Sequence, residues 1–204
     1  MAQVSHYFST DPGGAGRTRT VTFEAGGQRF SLTSAEGVFS ADRLDPGTAV
    51  LLDRAELPSP DTTGPLLDLG CGYGPIACVL ATVATRATVW AVDVNPRARE
   101  LTAHNATALG LADRITVAAP EQVPAELRFS QIWSNPPIRV GKAVLRSMFT
   151  DWLTRLTPDG VAWLVIAHNL GGDSWHRWLA DQGWDVQRYA SRKGYRILRV
   201  RPGG

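Results

Sequence analysis

The chain has little of what disulfide frameworks, metal clusters and membrane spans require. Its 204 residues include only two cysteines, Cys71 and Cys78, too few for a disulfide framework or a zinc site. The four histidines show no metal-ligand spacing, so we expect no metal. No apolar run reaches the roughly 18 residues that cross a bilayer, and the N-terminus lacks the apolar stretch of a signal peptide. These absences predict a reduced, cytoplasmic protein that does not enter a membrane.

Lysine is also scarce, because all but two of the 21 basic residues are arginine. The formal net charge is only +2, yet residues 128–204 carry twelve basic and five acidic side chains, a net of +7. Such asymmetry favours a polyanionic partner on one face. Solvation of helices and of a sheet edge by these arginines explains it equally well, so the charge alone does not decide between them.

The order of patterns indicates an α/β protein in two parts. Residues 1–62 form an N-terminal appendage, with a β-hairpin about Gly26-Gly27 and a helix after Pro46-Gly47 for which Ser40 or Asp42 is the expected cap. Residues 63–204 form the second part, in which strands and helices alternate. That alternation predicts a Rossmann-like, seven-stranded, mostly parallel sheet covered on both faces.

The expected elements of the second part follow one another without repeats. A turn at Lys193-Gly194 between two β-rich runs predicts an antiparallel hairpin at the C-terminal edge of the sheet. The predicted parallel strands are 65–70, 88–94, 115–119, 129–135 and 161–168. The predicted helices are 74–84, 96–109, 141–156 and 173–182.

A glycine-rich turn follows the first of these strands. Gly70, Gly72 and Gly74 are spaced G-x-G-x-G and let the backbone turn sharply and approach a ligand. A hydride-carrying dinucleotide site normally requires G-x-G-x-x-G, and Pro75 replaces its last glycine, which disfavours an NAD-dependent dehydrogenase. Asp68, just before the turn, suits a cationic amine better than a phosphate. A tight turn between strand and helix with no ligand is the plainer interpretation.

Asp93 strengthens the case for a ligand. It ends the second predicted parallel strand, where an acidic group can accept both hydroxyls of a ribose, although a helix cap or a surface carboxylate would also occur there. A ligand with an amine at one end and a ribose at the other fits Asp68 and Asp93 together. S-adenosylmethionine is such a ligand.

The chemistry is expected at the turn Ser134-Asn135-Pro136-Pro137-Ile138, directly after the fourth predicted parallel strand. The side-chain oxygen of Asn135 and the carbonyl of Pro136 are two acceptors that can grip the hydrogens of an exocyclic amine, whose lone pair is otherwise delocalised into its ring. Holding the nitrogen pyramidal would direct that lone pair at a methyl sulfonium, so most of the catalysis is positioning and electrostatics. This pattern predicts methyl transfer to a planar amide or amine nitrogen.

Five motifs occur in order along the chain. They are G-V-F-S with D-R-L-D-x-G-T (37–48), L-D-L-G-C-G-Y-G (67–74), A-V-D-V-N (91–95), S-N-P-P-I-R-V-G-K (134–142) and K-G-Y-R-I-L-R (193–199). With these motifs the chain resembles, from Tyr7 to Arg201, the methyltransferase small-domain family, which is related to the ribosomal RNA small-subunit guanine-N2 methyltransferases. That resemblance implies a Rossmann-like catalytic domain, S-adenosylmethionine as methyl donor and guanine N2 in RNA as acceptor.

Site residues follow from the resemblance and the motifs together. Glu121 is expected to stand in for an acidic residue that many relatives carry near the adenine, and Ile138 offers an apolar wall where some relatives place an aromatic ring. Phe39 is expected either to supply a stacking ring for the base or to anchor the appendage to the core. Expected catalytic residues are Asn135, Pro136, Pro137 and Ile138. Expected cofactor contacts are Asp68, Gly70, Cys71, Gly72, Gly74, Asp93, Val94, Glu121 and Asn135.

Basic side chains near the expected site suit the phosphates that flank a target nucleotide. Arg139 and Lys142 follow the Asn-Pro-Pro turn, and Lys193 lies on the turn of the C-terminal hairpin. Together with Phe39 they are the expected substrate-binding residues, although solvation and ion pairs are the alternative for each cation.

The motifs favour an S-adenosylmethionine-dependent N-methyltransferase acting on the exocyclic N2 amine of guanine in RNA, with small-subunit ribosomal RNA as the expected substrate. The protein would act as a monomer or a homodimer. The alternative keeps the donor and the chemistry but takes a protein glutamine amide or a small molecule as acceptor. A binding module without turnover is disfavoured, because it has no use for acceptors that polarise an amine.

Overall fold

A computed structural model describes residues 17–38, 42–136, 141–168 and 172–204. Phe39 and Ser40 lie outside these ranges, as do Pro137, Ile138 and Arg139. The first described elements are the antiparallel strands β1 (Thr18–Ala25) and β2 (Gln28–Ala35), which turn at Gly26 and Gly27 and so confirm the predicted hairpin.

Helix α1 (Pro46–Arg54) begins several residues after Ser40 and Asp42, the two caps expected from the sequence. The prediction of Asp42 as the cap is wrong, because Asp45 accepts hydrogen bonds from the backbone N–H groups of Gly47 and Thr48. A cap must directly precede the first helical residue, and the proline at position 46 can begin a helix but not lie further inside it. Asp42 instead pairs with Arg19.

Seven strands form one sheet in the order β5-β4-β3-β6-β7-β9-β8. The first five strands of that order pair in parallel, and the last two run antiparallel at one edge, which confirms the predicted fold class. The strands are β3 (Pro65–Leu69), β4 (Thr88–Val92), β5 (Ile115–Ala118), β6 (Phe129–Ser134), β7 (Leu156–Ala167), β8 (Asp185–Arg192) and β9 (Tyr195–Arg201).

The helices lie close to their predicted positions. Asn95 caps α3 with Pro96 as its first residue, as the sequence predicts. The helices are α2 (Pro75–Val83), α3 (Pro96–Ala108), α4 (Lys142–Leu153) and α5 (Gly172–Asp181), with a short 3₁₀ helix at Pro120–Gln122. None of the helices in the described part of the chain is both long and apolar enough to span a bilayer.

The boundary between α4 and β7 differs from the prediction. Helix α4 ends at Leu153 and β7 begins at Leu156, which pairs with Phe129 of β6. The register then shifts, so that Gln131 pairs with Val161 and the residues between form an irregularity in the strand. Pairing with β6 starts the strand earlier than the apolar run alone indicates.

Side chains that alternate along the strands fill two hydrophobic clusters, one on each face of the sheet. Leu66 and Trp133 belong to one cluster, and their neighbours Leu67 and Ile132 belong to the other. The first cluster also contains Phe30 and other residues of the N-terminal hairpin. The hairpin therefore packs on the same core as the sheet, while the division of the chain at residue 62 stays a prediction.

Candidate active site

The glycine-rich turn lies at the carboxyl end of β3. The backbone N–H groups of Gly70 and Cys71 both donate to the carbonyl of Val92, at 2.8 and 3.1 Å, which ties the turn to the end of β4. Gly70 has a φ of +79°, a conformation that a residue with a side chain rarely adopts, and a Cβ there would meet no atom within 4 Å. The turn thus leaves open space above its backbone.

The carboxylate of Asp93 is held beside this turn by hydrogen bonds from backbone N–H groups. One carboxylate oxygen accepts from the N–H of Gly72 at 2.9 Å, and the other accepts from the N–H of Asn95 at 2.8 Å. Each oxygen keeps a further lone pair. The half-buried carboxylate is therefore held in one orientation and can still accept hydrogen bonds from a diol.

Asp68 lies beneath the turn and is fully buried. One of its oxygens accepts from the N–H of Ala77 in α2 at 2.9 Å, and its Oδ1 has no partner among the described residues. Burial raises the pKa of this carboxyl to about 8, with the charge of Asp93 adding to the effect and the hydrogen bond from Ala77 opposing it. At neutral pH the group is therefore largely protonated.

Asn135 follows β6, and its side chain is hydrogen-bonded to the N-terminal part of the chain. The hydroxyl of Ser134 donates to the carbonyl of Leu69 at 2.8 Å, which holds the end of β6 beside the glycine-rich turn. The Nδ2 of Asn135 donates to Asp45 at 2.7 Å and to the hydroxyl of Thr48 at 2.9 Å. The amide nitrogen is thus bonded to α1 and its cap, which leaves Oδ1 as the acceptor of the side chain.

These elements enclose a cavity of about 640 Å³, within the range of about 300–1,000 Å³ that small-molecule sites occupy. Six of the predicted site residues line it together: Gly70, Cys71, Gly72, Asp93, Val94 and Asn135. The side chain of Val94 is 78% exposed and lies at the rim of this cavity.

The other predicted site residues lie elsewhere in the structure or outside its described part. Asp68 and Gly74 support the turn from behind, and Gly74 caps α2 without a side chain. Glu121 is exposed directly after Pro120, which does line the cavity, and Pro136 is buried directly after Asn135. Phe39, Pro137, Ile138 and Arg139 lie outside the described residues.

The two lysines are exposed near the carboxyl ends of the parallel strands. Lys142 is the first residue of α4, as predicted, and α4 forms one wall of the cavity. Lys193 occupies the turn between β8 and β9 with a φ of 49°. The neighbouring Gly194 accepts a hydrogen bond from the N–H of His168, at the end of β7. The hairpin turn therefore lies at the same end of the sheet as the cavity.

Several cavity residues were not expected from the sequence. Asp45, Thr48 and Tyr73 line it from the N-terminal part and the glycine-rich turn, and the hydroxyl of Tyr73 is buried with no partner among the described residues. The signal for Asp45 and Thr48 is the D-R-L-D-x-G-T motif, whose role the sequence leaves open. Helix α4 adds Val144, Ser147, Met148, Asp151 and Trp152.

The cysteines take no part in a metal cluster in the part of the chain that the structure describes, where no group of three or more candidate ligands occurs. Cys71 and Cys78 are buried free thiols. Burial raises the pKa of both thiols, that of Cys78 to about 12, so neither is a ready nucleophile.

A family model described as the methyltransferase small domain matches residues 29–199. The chain belongs to the methyltransferase small-domain family. The predicted family and fold are thereby confirmed, and so is the class of cofactor, because the fold, the glycine-rich turn and the family description agree on a methyltransferase that uses S-adenosylmethionine.

Relatives of this chain include one of nearly the same length and others about twice as long. The Bacillus subtilis protein YbxB, which is uncharacterized, is 34% identical over 96% of this chain and 98% of its own length. Ribosomal RNA small subunit methyltransferase C of Alcanivorax borkumensis is 31% identical over 82% of this chain and 51% of its own length. The enzyme of the same name from Idiomarina loihiensis is 37% identical over 70% of this chain and 42% of its own length. This chain thus spans about half the length of its named ribosomal RNA relatives.

A solved structure of T. thermophilus RsmC, a 16S rRNA N2 methyltransferase in complex with AdoMet and guanosine, superimposes with a TM-score of 0.74. It is 26% identical, and the match covers 91% of this chain and 50% of RsmC. A ribosomal protein L11 methylase from Lactobacillus delbrueckii has a TM-score of 0.61 at 19% identity, which shows a shared fold alone.

Proposed function

We propose that the protein is an S-adenosylmethionine-dependent N-methyltransferase that acts on the exocyclic N2 amine of guanine in RNA, with small-subunit ribosomal RNA as the substrate. The observation that carries the proposal is the placement of Asn135 in the same cavity as the glycine-rich turn and Asp93. The names of the ribosomal RNA relatives, and the guanosine bound to RsmC, support this choice of acceptor.

The described residues fit the donor. Asp93 would accept hydrogen bonds from the ribose hydroxyls, while Val94 and Pro120 offer apolar surfaces for the adenine, with Glu121 beside them. Gly70 leaves open space for the methionine portion. Asp68 lies beneath the turn and does not line the cavity, and we propose its buried Oδ1, which has no partner in the described part of the chain, as the acceptor for the cationic amine once that carboxyl is ionised. When bound, the donor supplies an electrophilic methyl group on a sulfonium.

The acceptor nitrogen would be prepared by Asn135 and the carbonyl of Pro136. An exocyclic amine of guanine has a lone pair delocalised into the ring, and two hydrogen-bond acceptors on its N–H groups favour the pyramidal form in which that lone pair is available. Asn135 can serve in this way because its amide nitrogen is already engaged by Asp45 and Thr48, which leaves Oδ1 to accept. No strong base is required, because the N–H proton becomes acidic only after the methyl has arrived.

RNA would approach the end of the sheet where the cavity opens. Lys142 begins the helix that walls the cavity, and Lys193 lies on a turn at the same end of the sheet. We propose that both contact phosphates, together with Arg139, and that Phe39 contacts the base. A ribosomal RNA substrate implies that the protein acts in the cytoplasm, as a monomer or a homodimer.

The test is transfer of labelled methyl groups to unmodified small-subunit RNA, with nucleoside analysis to identify the methylated position. We expect label in N2-methylguanosine, and we expect Asn135→Ala to lower the rate by about 100-fold or more. Ser130→Ala is the matched control, because its hydroxyl lies at the other end of β6 and bonds to the backbone carbonyls of Thr63 and Pro65. Label in protein fractions instead of RNA would replace the proposed acceptor with a glutamine amide, and no transfer to any RNA would overturn the proposal.

A further inference from the structure

We propose that Asp45, the cap of α1, is a positioning residue that fixes which end of the Asn135 amide faces the acceptor. The inference rests on the proposed function, in which Oδ1 of Asn135 accepts a hydrogen bond from the target amine. It assigns a role to the D-R-L-D-x-G-T motif and makes the N-terminal part of the chain a component of the active site.

The argument begins with the symmetry of an asparagine side chain. Its oxygen and its nitrogen occupy nearly the same space, so a rotation by half a turn exchanges an acceptor for a donor at little steric cost. An Asn135 turned the wrong way would present N–H groups to an amine that itself offers N–H groups. The reaction therefore requires something that distinguishes the two orientations.

Asp45 makes that distinction because an ionised carboxylate accepts hydrogen bonds and cannot donate them. Its Oδ1 lies 2.7 Å from Nδ2 of Asn135. Rotating the amide would place the two side-chain oxygens against each other at that distance. The hydroxyl of Thr48, 2.9 Å from the same nitrogen, both donates and accepts, so it strengthens the preferred orientation without selecting it.

The position of Asp45 is itself fixed by the start of α1. The oxygen that receives Asn135 also accepts from the N–H of Gly47 at 2.7 Å and from the N–H of Thr48 at 3.1 Å. A capping side chain that accepts two hydrogen bonds from the backbone has little freedom to rotate. The orientation of the Asn135 side chain is therefore set by the cap of a helix that lies about ninety residues earlier in the sequence.

Packing around the cap leaves little room for adjustment. A Cβ at Gly47 would lie 3.1 Å from Oδ1 of Asn135 and 3.0 Å from the ring of Tyr195 in β9. These distances are closer than ordinary contacts, so the backbone of α1 at Gly47 leaves no room for a side chain beside Asn135. The cluster of cap, asparagine and Tyr195 is thus a packed unit.

The experiment compares two substitutions of Asp45 that both keep a good helix cap. In Asp45→Ser the hydroxyl donates as well as accepts, so it no longer selects one orientation of Asn135, and we expect the turnover number to fall by about tenfold or more. In Asp45→Asn one oxygen can still accept all three hydrogen bonds, and we expect a decrease of about threefold. Donor affinity, measured by calorimetry, and the denaturant midpoint should change little in either variant, whereas a merely structural role would move them together with the rate.

A double-mutant cycle separates this inference from the proposed function. If Asp45 acts through Asn135, then Asp45→Ser should have no further effect on the single-turnover rate of a chain that already carries Asn135→Ala. If Asn135→Ala alone leaves the rate intact, the proposed mechanism fails. If Asn135→Ala lowers the rate while Asp45→Ser leaves it intact, or the two effects simply add, only the positioning role is overturned.

Discussion

Asn105 shows at the scale of one residue how the N-terminal hairpin and the glycine-rich turn are joined. Its buried amide accepts from the N–H of Thr33 and donates to the carbonyls of Thr33 and Tyr73, each at 2.8 Å. One side chain of α3 therefore bonds to β2 and to the glycine-rich turn at once. No sequence pattern indicates this role, because nothing local distinguishes this asparagine from a polar residue on the exposed face of a helix.

We expect Asn105→Ala to lower the free energy of unfolding by about 2–4 kcal/mol, because it leaves the buried carbonyl of Tyr73 and the partly buried N–H and carbonyl of Thr33 without this partner. Thr107→Ala is the matched control, since its exposed hydroxyl bonds to the carbonyl of Ala103 within α3, and it should cost no more than about 0.5 kcal/mol. Urea denaturation of both variants measures the difference. Equal decreases would mean that the hydrogen bonds of Asn105 contribute little.

Asp68 should make stability depend on pH. Its pKa is about 8 in the folded chain against an ordinary value of 3.8, so between these values the folded state binds more protons than the unfolded state. The contribution of Asp68 to the free energy of unfolding is greatest at low pH and is lost as the pH rises toward 8. Over that range the free energy of unfolding falls by at most about 1.4 kcal/mol per pH unit.

Asp68→Asn removes this titration, so the comparison of the two chains isolates it. Without donor, the wild-type chain should lose stability relative to Asp68→Asn between about pH 4 and pH 8 and should change no further above that. Urea midpoints at pH 5, 7 and 9 test the prediction. A constant difference between the two chains across that series would show that Asp68 ionises normally.

At the scale of elements, the turn between β3 and α2 should respond to substitution in a way that separates binding from folding. Gly70→Ala adds a methyl group to the open space of the cavity, and its positive φ adds about 1–2 kcal/mol of backbone strain. We expect donor affinity to fall by about tenfold or more, because the methyl group occupies space proposed for the donor.

Gly110→Ala is the control for Gly70→Ala. Gly110 has a φ of +69° and equally open surroundings, but it follows α3 outside the cavity. Both variants should lose similar unfolding free energy, while calorimetry with the donor distinguishes them. Unchanged affinity in Gly70→Ala would remove this glycine from the proposed donor site.

How far the sequence predicts the structure depends on whether the signal is local. The glycine spacing and the Asn95-Pro96 pair specify their turn and cap through neighbouring residues alone, and these predictions are confirmed. The cap of α1 depends on competition between neighbouring capping residues, and the start of β7 depends on pairing with a distant strand; the prediction of Asp42 as the cap and the predicted start of β7 are wrong. The contact between Asp45 and Asn135 joins two loops that only the folded chain brings together.

At the scale of the whole molecule, the two lysines and the cavity lie at the same end of the sheet, which predicts a salt-dependent contact with RNA. Replacing Lys142 and Lys193 by glutamine should reduce the slope of log affinity against log salt by about two, one for each phosphate that is no longer neutralised. The control replaces Arg86 and Arg128 by glutamine, because these exposed cations precede β4 and β6 at the opposite end. Filter binding over a salt series measures both. Equal slopes in the two variants would contradict the proposed path of the RNA.

The placement of β9 between β7 and β8 has a consequence for how the molecule is assembled. Strand β8 pairs only with β9 among the described strands, so it has no place in the sheet until the segment made after it has entered. A nascent chain that has emerged only as far as β8 therefore exposes the edge of β7, and such bare edges invite pairing between molecules. Arg192 and Tyr189 of β8 also bond to Asp53 and Glu56, which belong to α1 and the segment after it. The sheet is therefore complete only after β9 has been synthesised.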